Sequence, residues 1–129
     1  MDPGPQTVFV YGTLRRGGSN HFRMSGAVFI AAGTIRGRLY RIDWYPGLIL
    51  DPSGGEIQGE AYSVGPELLS ALDVFEGLSA GEIEGSEYRR VQTNVVQRDS
   101  QILHAWVWEW LGIVDESQRI SDGDWLKEE

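Results

Sequence analysis

Glycine and proline punctuate this chain so regularly that no long uninterrupted element can form over most of its length. Seventeen glycines and five prolines stand among 129 residues, well above average usage, and they fall between short apolar runs. That spacing predicts many short strands joined by turns. The β-branched and aromatic run Gln6–Tyr11 stops at Gly12 and predicts a first strand. Ser19 or Asn20 then stands where it could cap one or two helical turns. From Ala27 to Ile42 the alternation of apolar and polar residues predicts two strand segments bent at Gly33 and Gly37. Trp44–Leu50 places a Pro-Gly turn before another short strand. Asp51–Gly55 is a further turn, and Glu56–Val64 a further strand, the whole reading as a meander.

One segment departs from this rhythm. Pro66 sits where a first-turn residue has no need of its N–H, and a helix from Glu67 to about Glu76 ends at Gly77. A polar, acidic loop over 78–87 follows. Tyr88–Gln97 and Ile102–Trp110 then pair as a hairpin across Arg98–Gln101. After Gly112 the tail is acidic and irregular. Strands outnumber helices by about six to two, which predicts one α+β domain over residues 1–129. Its core would cover about 6–112 and be built on a small, mostly antiparallel barrel or curled sheet, with one main helix and a short second helix.

Composition narrows the chemistry. Cysteine is absent, which removes disulfides, thiolate nucleophiles and zinc–cysteine sites. Nineteen acidic residues against eleven basic ones give a formal charge of −8, the wrong sign for gripping nucleic acid. Ten of the basic residues are arginine; the one lysine, Lys127, lies in the tail, so no lysine inside the fold could form a Schiff base or clamp a phosphate. The longest apolar run, Ala27–Ala32, is too short to span a membrane. The first residues carry no basic or apolar leader, so the expected location is the cytoplasm.

Gly12–Ser19 follows a strand with the spacing of a phosphate-binding P-loop, but Gly18 stands where that motif needs lysine. What survives is a strand ending in Tyr11-Gly12-Thr13-Leu14, read either as an ordinary turn or as a set of backbone N–H groups able to hold an anion. Of the two histidines, His21 has a structural or capping role or else approaches a ligand at that turn. His104 lies in a strand, at the surface or an edge. Neither belongs to a metal or triad motif, and no metal site is expected.

Glu76 carries the sharpest chemical signal. Leu68, Leu69, Leu72 and Phe75 form one apolar stripe on the helix, and Glu76 falls inside it. Desolvation and the helix C-terminus would both raise its pKa, making it a general base for near-neutral pH. Alternatively it is a fraying residue paired with Arg89 or Arg90. Asp73 lies further round the helix, and Glu82, Glu84 and Glu87 belong to the acidic loop; all four read as solvated or ion-paired. If that loop overhangs a cavity, its charge disfavours anionic groups there. The five tryptophans read as core residues, or as a surface for another protein.

Taken together, Phe9-Val10-Tyr11-Gly12-Thr13-Leu14-Arg15-Arg16-Gly17, the helix end Leu72-Asp73-Val74-Phe75-Glu76-Gly77, the strand start Tyr88-Arg89-Arg90-Val91 and the tail 119–125 resemble the gamma-glutamylcyclotransferase-like family. Gly37–Tyr40 and Trp44–Leu48 resemble its bacterial branch. The resemblance implies a small mixed β-barrel flanked by helices, with a cavity at one end. It also implies a cofactor-free enzyme whose small-molecule γ-glutamyl substrate cyclises to 5-oxoproline, releasing an amine or amino acid. The family's catalytic glutamate corresponds to Glu76, its substrate-holding turn to Tyr11, Gly12, Thr13 and Leu14, and Tyr88 to a cavity-lining position. A non-catalytic barrel that binds γ-glutamyl-like ligands is the alternative.

Overall fold

The computed structural model describes residues 4–79 and 82–128. Its strands are β1 (Gln6–Val10), β2 (Val28–Arg41), β3 (Pro46–Leu50), β4 (Gly55–Val64), β5 (Tyr88–Gln97) and β6 (Ile102–Trp110), with helix α1 (Pro66–Phe75) between β4 and β5. They form one sheet in the order β3-β2-β4-β1-β6-β5. A further pairing of β5 with β2, Gly33 opposite Gln97 and Thr34 opposite Val96, joins the ends. The result is a closed five-stranded barrel, with β3 attached along the rest of β2. Closure depends on Gly33: a Cβ there would lie 2.7 Å from the carbonyl oxygen of Val96, so a larger residue would hold β5 away.

The pairing corrects the expected meander. β4 skips β3 and returns to β2, over Val28–Gly37 opposite Gly55–Ser63, and its other edge takes β1 antiparallel. Closing the barrel places β1 beside β6 in parallel, Val8 opposite Trp106. The two segments expected within 27–42 are one continuous strand, with a register shift between Phe29 and Ala31. Pro46 and Gly47 belong to β3 itself, paired with Arg41 and Tyr40; the chain turns just before them, where Ile42 N–H and Asp43 N–H both donate to the Tyr45 carbonyl. The β5–β6 hairpin runs in continuous register from Tyr88–Trp110 to Val96–Ile102, as expected. The short second helix is a single 3-10 turn, His21–Met24. Asn20 offers it no side-chain cap; its Oδ1 instead accepts from Arg23 Nε.

Because β1 lies mid-sheet and is covered on both sides, its successive residues serve two cores. Val8 and Val10 face α1, packing with Leu69, Leu72 and Trp108. Phe9 and Tyr11 point the other way, into a cluster with Ile35, Leu39, Val107 and Trp125. β6 repeats the division, with Trp108 and Trp110 in the first cluster and Ala105 and Val107 in the second. The tail adds to this second cluster: Ile120 N–H donates to the Leu39 carbonyl, and Trp125 is fully buried. Among the described residues no helix is long and apolar enough to cross a membrane.

Candidate active site

A cavity of about 170 Å³ opens where the end of β1, the end of α1 and the start of β5 converge. Three segments bring chemistry to it. The first is the turn after β1. Tyr11, Gly12, Thr13 and Leu14 are all buried and all line the cavity. The turn is held by its carbonyls, Gly12 O accepting from Arg15 N–H and Thr13 O from Asn20 N–H. The N–H groups of Gly12, Thr13 and Leu14, however, donate to no group among the described residues. Buried backbone donors are rarely left without partners, and here three in succession border an open cavity.

Glu60 fixes this turn from behind. One carboxylate oxygen accepts the N–H of Arg16 at 2.9 Å, and the other accepts Arg15 Nε at 2.7 Å. Arg15 Nη1 continues to Asp124 of the tail at 3.0 Å. Glu60 and Arg15 are nearly inaccessible to solvent, so the charges act in a medium where pairing is strong and breaking it is costly.

The second segment is the end of α1. Gly77, at φ +86°, adopts the left-handed conformation that ends helices. Its N–H donates to Val74 O and that of Leu78 to Asp73 O, the paired bonds of a Schellman motif. This leaves Glu76 as the C-cap residue, lining the cavity. Neither Arg89 nor Arg90 pairs with it: Arg89 binds Glu109 at 2.8 Å, and Arg90 Nε binds Asp73 at 3.0 Å. Among the described residues nothing donates a hydrogen bond to the Glu76 carboxylate. Desolvation, and then the charges of Asp73 and Glu87, push its pKa up to about 8. That is close to the α-amino group of a peptide, near 8 in water.

Asp73 is buried rather than solvated. Its Oδ1 accepts from both Arg90 Nε and Trp108 Nε1, at 3.0 and 2.9 Å, and Arg90 stacks on Trp106 at 4.3 Å from the ring centre. This network fixes the Trp108 indole in the cavity wall. The Trp108 carbonyl in turn accepts the Tyr11 hydroxyl at 2.6 Å.

Tyr88, at the start of β5, is the third contribution. Its hydroxyl donates to Pro46 O at 2.6 Å, and its ring packs edge-on against Trp110. Burial raises the pKa of both Tyr11 and Tyr88, and each is raised further by the charge of Glu76, so both remain neutral donors. Of the acidic loop, Glu87 reaches the cavity and accepts the Tyr45 hydroxyl at 3.2 Å. Glu84 forms an isolated bridge with Arg89; residues 80 and 81 lie outside the described residues. His21 does not line the cavity; its Nδ1 lies 2.9 Å from Leu14 O, so it braces the turn. His104 is exposed on β6. No group of three or more His, Asp or Glu side chains is placed to hold a metal among the described residues.

Sequence patterning missed Trp44, Tyr45 and Pro46 as cavity residues, because Pro-Gly was read as a turn. It also missed the Glu60 buttress. A glutamate between Gly59 and the apolar pair Ala61-Tyr62 of a strand was the available signal.

A closed barrel whose end cavity is lined by a carboxylate and by backbone N–H groups, neither with a hydrogen-bond partner among the described residues, describes a class of site. The particular family follows from comparison. Residues 8–127 match the gamma-glutamyl cyclotransferase, AIG2-like family, and the chain belongs to that family. It is 30% identical to a gamma-glutamylcyclotransferase family protein of Citrobacter rodentium, over 92% of this chain and 94% of that one. It is 40% identical over 85 residues to human gamma-glutamylaminecyclotransferase, covering 57% of this chain. The chain spans about half the length of some relatives, 54% of the human protein and 49% of one from Arabidopsis thaliana. The structure of a mouse AIG2-like protein superimposes with a TM-score of 0.70 at 25% identity, covering 90% of this chain and 83% of that one.

Proposed function

We propose that the protein is a cofactor-free cyclotransferase acting on small γ-glutamyl amides, with Glu76 as the acid/base. The observation that carries this reading is the Glu76 carboxyl, its pKa raised to about 8, in one cavity with the N–H groups of residues 12–14, none of them with a hydrogen-bond partner among the described residues. Family membership and the human relative's name support it.

The reaction begins with the substrate's α-ammonium, which must lose a proton before its nitrogen can attack. Ionised Glu76 takes that proton, and the closely matched pKa values make the transfer nearly isoenergetic. The amine nitrogen then adds to the γ-carbonyl carbon and closes a five-membered ring. Backbone N–H groups of Gly12, Thr13 and Leu14 hold the glutamyl end and face the developing oxyanion. As the tetrahedral species collapses, Glu76 returns its proton to the leaving nitrogen, and the extra proton of the ring nitrogen passes to the departing amine, which leaves as an ammonium. The carbon–nitrogen bond breaks, giving 5-oxoproline and a free amine. Nucleophile and carbonyl belong to one molecule, so a cavity that holds it folded supplies much of the entropic advantage of an intramolecular reaction. Tyr11 and Tyr88, tied to backbone carbonyls, keep the walls rigid around that conformer.

The test is release of 5-oxoproline from γ-glutamyl amides by wild type and Glu76→Gln. Turnover that falls by about 10² or more in a folded variant supports the reading. Saturable thermal stabilisation by these compounds without product would make the protein a binding barrel instead.

A further inference from the structure

The cavity has a chemically one-sided outer end. Its inner end is the buried turn, Tyr11 to Leu14, where the reading above seats the glutamyl part. Beside the helix end, where Phe75 and Glu76 are partly exposed and Gly77 is exposed, the lining residues that reach the surface are Trp44, 56% exposed, the partly exposed Tyr45 and the exposed Glu87. Trp44 and Tyr45 meet edge to face, with ring centres 4.9 Å apart. The Tyr45 hydroxyl holds the Glu87 carboxylate. Among the described residues no arginine, lysine or histidine lines the cavity at either end, whereas two carboxylates do. Nor does Glu87 have a cationic partner among the described residues, although Arg89 and Arg90, two and three residues on, are both committed to other acids.

A substrate bound through its glutamyl end projects its leaving group past these three residues. We propose that Trp44, Tyr45 and Glu87 form a leaving-group subsite selecting γ-glutamyl amides of diamines, whose distal nitrogen is cationic, over those whose leaving group carries a carboxylate. This rests on the function proposed above and narrows its substrate class. The distal ammonium meets Glu87 and the faces of two electron-rich rings. A carboxylate in the same place meets a like charge, with no cation in the cavity to offset it. The subsite is open to water, so the preference is moderate and sensitive to salt.

Three substrates of equal chain length separate the terms: the γ-glutamyl amides of 1,5-diaminopentane, pentylamine and 5-aminopentanoate. Comparing kcat/KM for wild type and Glu87→Gln, the expected wild-type order is cationic, neutral, anionic, with about tenfold or more between the extremes at low salt. In Glu87→Gln that ratio collapses toward one. Any effect of the variant on Glu76 is common to all three compounds and cancels in the ratio. A ratio that survives the substitution, or an anionic amide used as well as the neutral one, overturns the proposal. If none of the three releases 5-oxoproline, the cyclotransferase reading fails by itself. The subsite is then read from thermal stabilisation by the same compounds, where the same order supports it and equal stabilisation overturns it.

Discussion

Asp73 and Glu76 stand three residues apart at the end of one helix, yet their carboxylates are treated in opposite ways. Asp73 accepts hydrogen bonds from Arg90 and Trp108, whereas Glu76 faces the cavity with no donor among the described residues. The paired acid builds the wall and adds to the field that keeps the unpaired one protonated near neutral pH.

Replacing Asp73 by Asn separates these effects. The amide oxygen can still accept the Trp108 N–H, but the negative charge is gone and the Arg90 charge is left uncompensated. Both changes lower the Glu76 pKa, so the acid limb of kcat/KM is expected to move to lower pH. Breaking the buried pair also costs about 3–5 kcal/mol of stability, to be read by urea unfolding.

Stability should record the charge state of Glu76 directly. Its folded pKa is about 8 against 4.5 for the free group, so the folded state holds the proton more tightly than the unfolded one. The stability attached to that proton is fully present below about pH 4.5 and is lost as pH rises through about 8. Glu76→Gln, permanently neutral, escapes this loss. The variant should match wild type near pH 5 and exceed it near pH 9, by about 2 kcal/mol once partial access to solvent is allowed for. Unfolding curves at the two pH values check the sign. In the role proposed for it, a carboxyl that destabilises its own fold in the working pH range fits the usual trade between stability and activity.

Glu60→Ala tests the support behind the turn. It removes the acceptor of Arg16 N–H and strands Arg15 with Asp124 alone. A stability loss of about 3–5 kcal/mol is expected. In whatever fraction remains folded, KM should rise more than kcat falls, because the N–H groups proposed to hold substrate lose their fixed spacing.

Trp125→Ala measures how far the tail belongs to the fold. The side chain is fully buried with Phe9, Tyr11 and Leu39, so its truncation should cost about 3–5 kcal/mol in chemical denaturation.

How much of this could be read in advance depended on range. Local signals were sufficient for α1, marked by Pro66 and Gly77, and for the β5–β6 hairpin, two strand-forming runs on either side of Arg98–Gln101. Glu76 was legible for the same reason, since one helical stripe reveals a misplaced carboxylate. Strand order was not legible, because β4 chooses β2 over the adjacent β3 through closure of the whole barrel. Local propensity carries no record of that choice. Asp73, read as solvated or ion-paired, is ion-paired; its burial was not legible because its partners, Arg90 and Trp108, are contributed by distant strands. Pro46 was misread because a Pro-Gly pair signals a turn, yet an edge strand tolerates proline where no ladder N–H is needed.

The most direct measurement follows the Glu76 carboxyl and the reaction across the same pH range. The carboxyl is observed by carbon NMR, with Glu76→Gln identifying its signal, beside kcat/KM for release of 5-oxoproline. A carboxyl that titrates near pH 8, together with a kcat/KM that rises through the same pH and is lost in the Gln variant, is the expected result. Titration near pH 4.5, or undiminished release of 5-oxoproline by Glu76→Gln, would contradict the assignment of Glu76 as the acid/base.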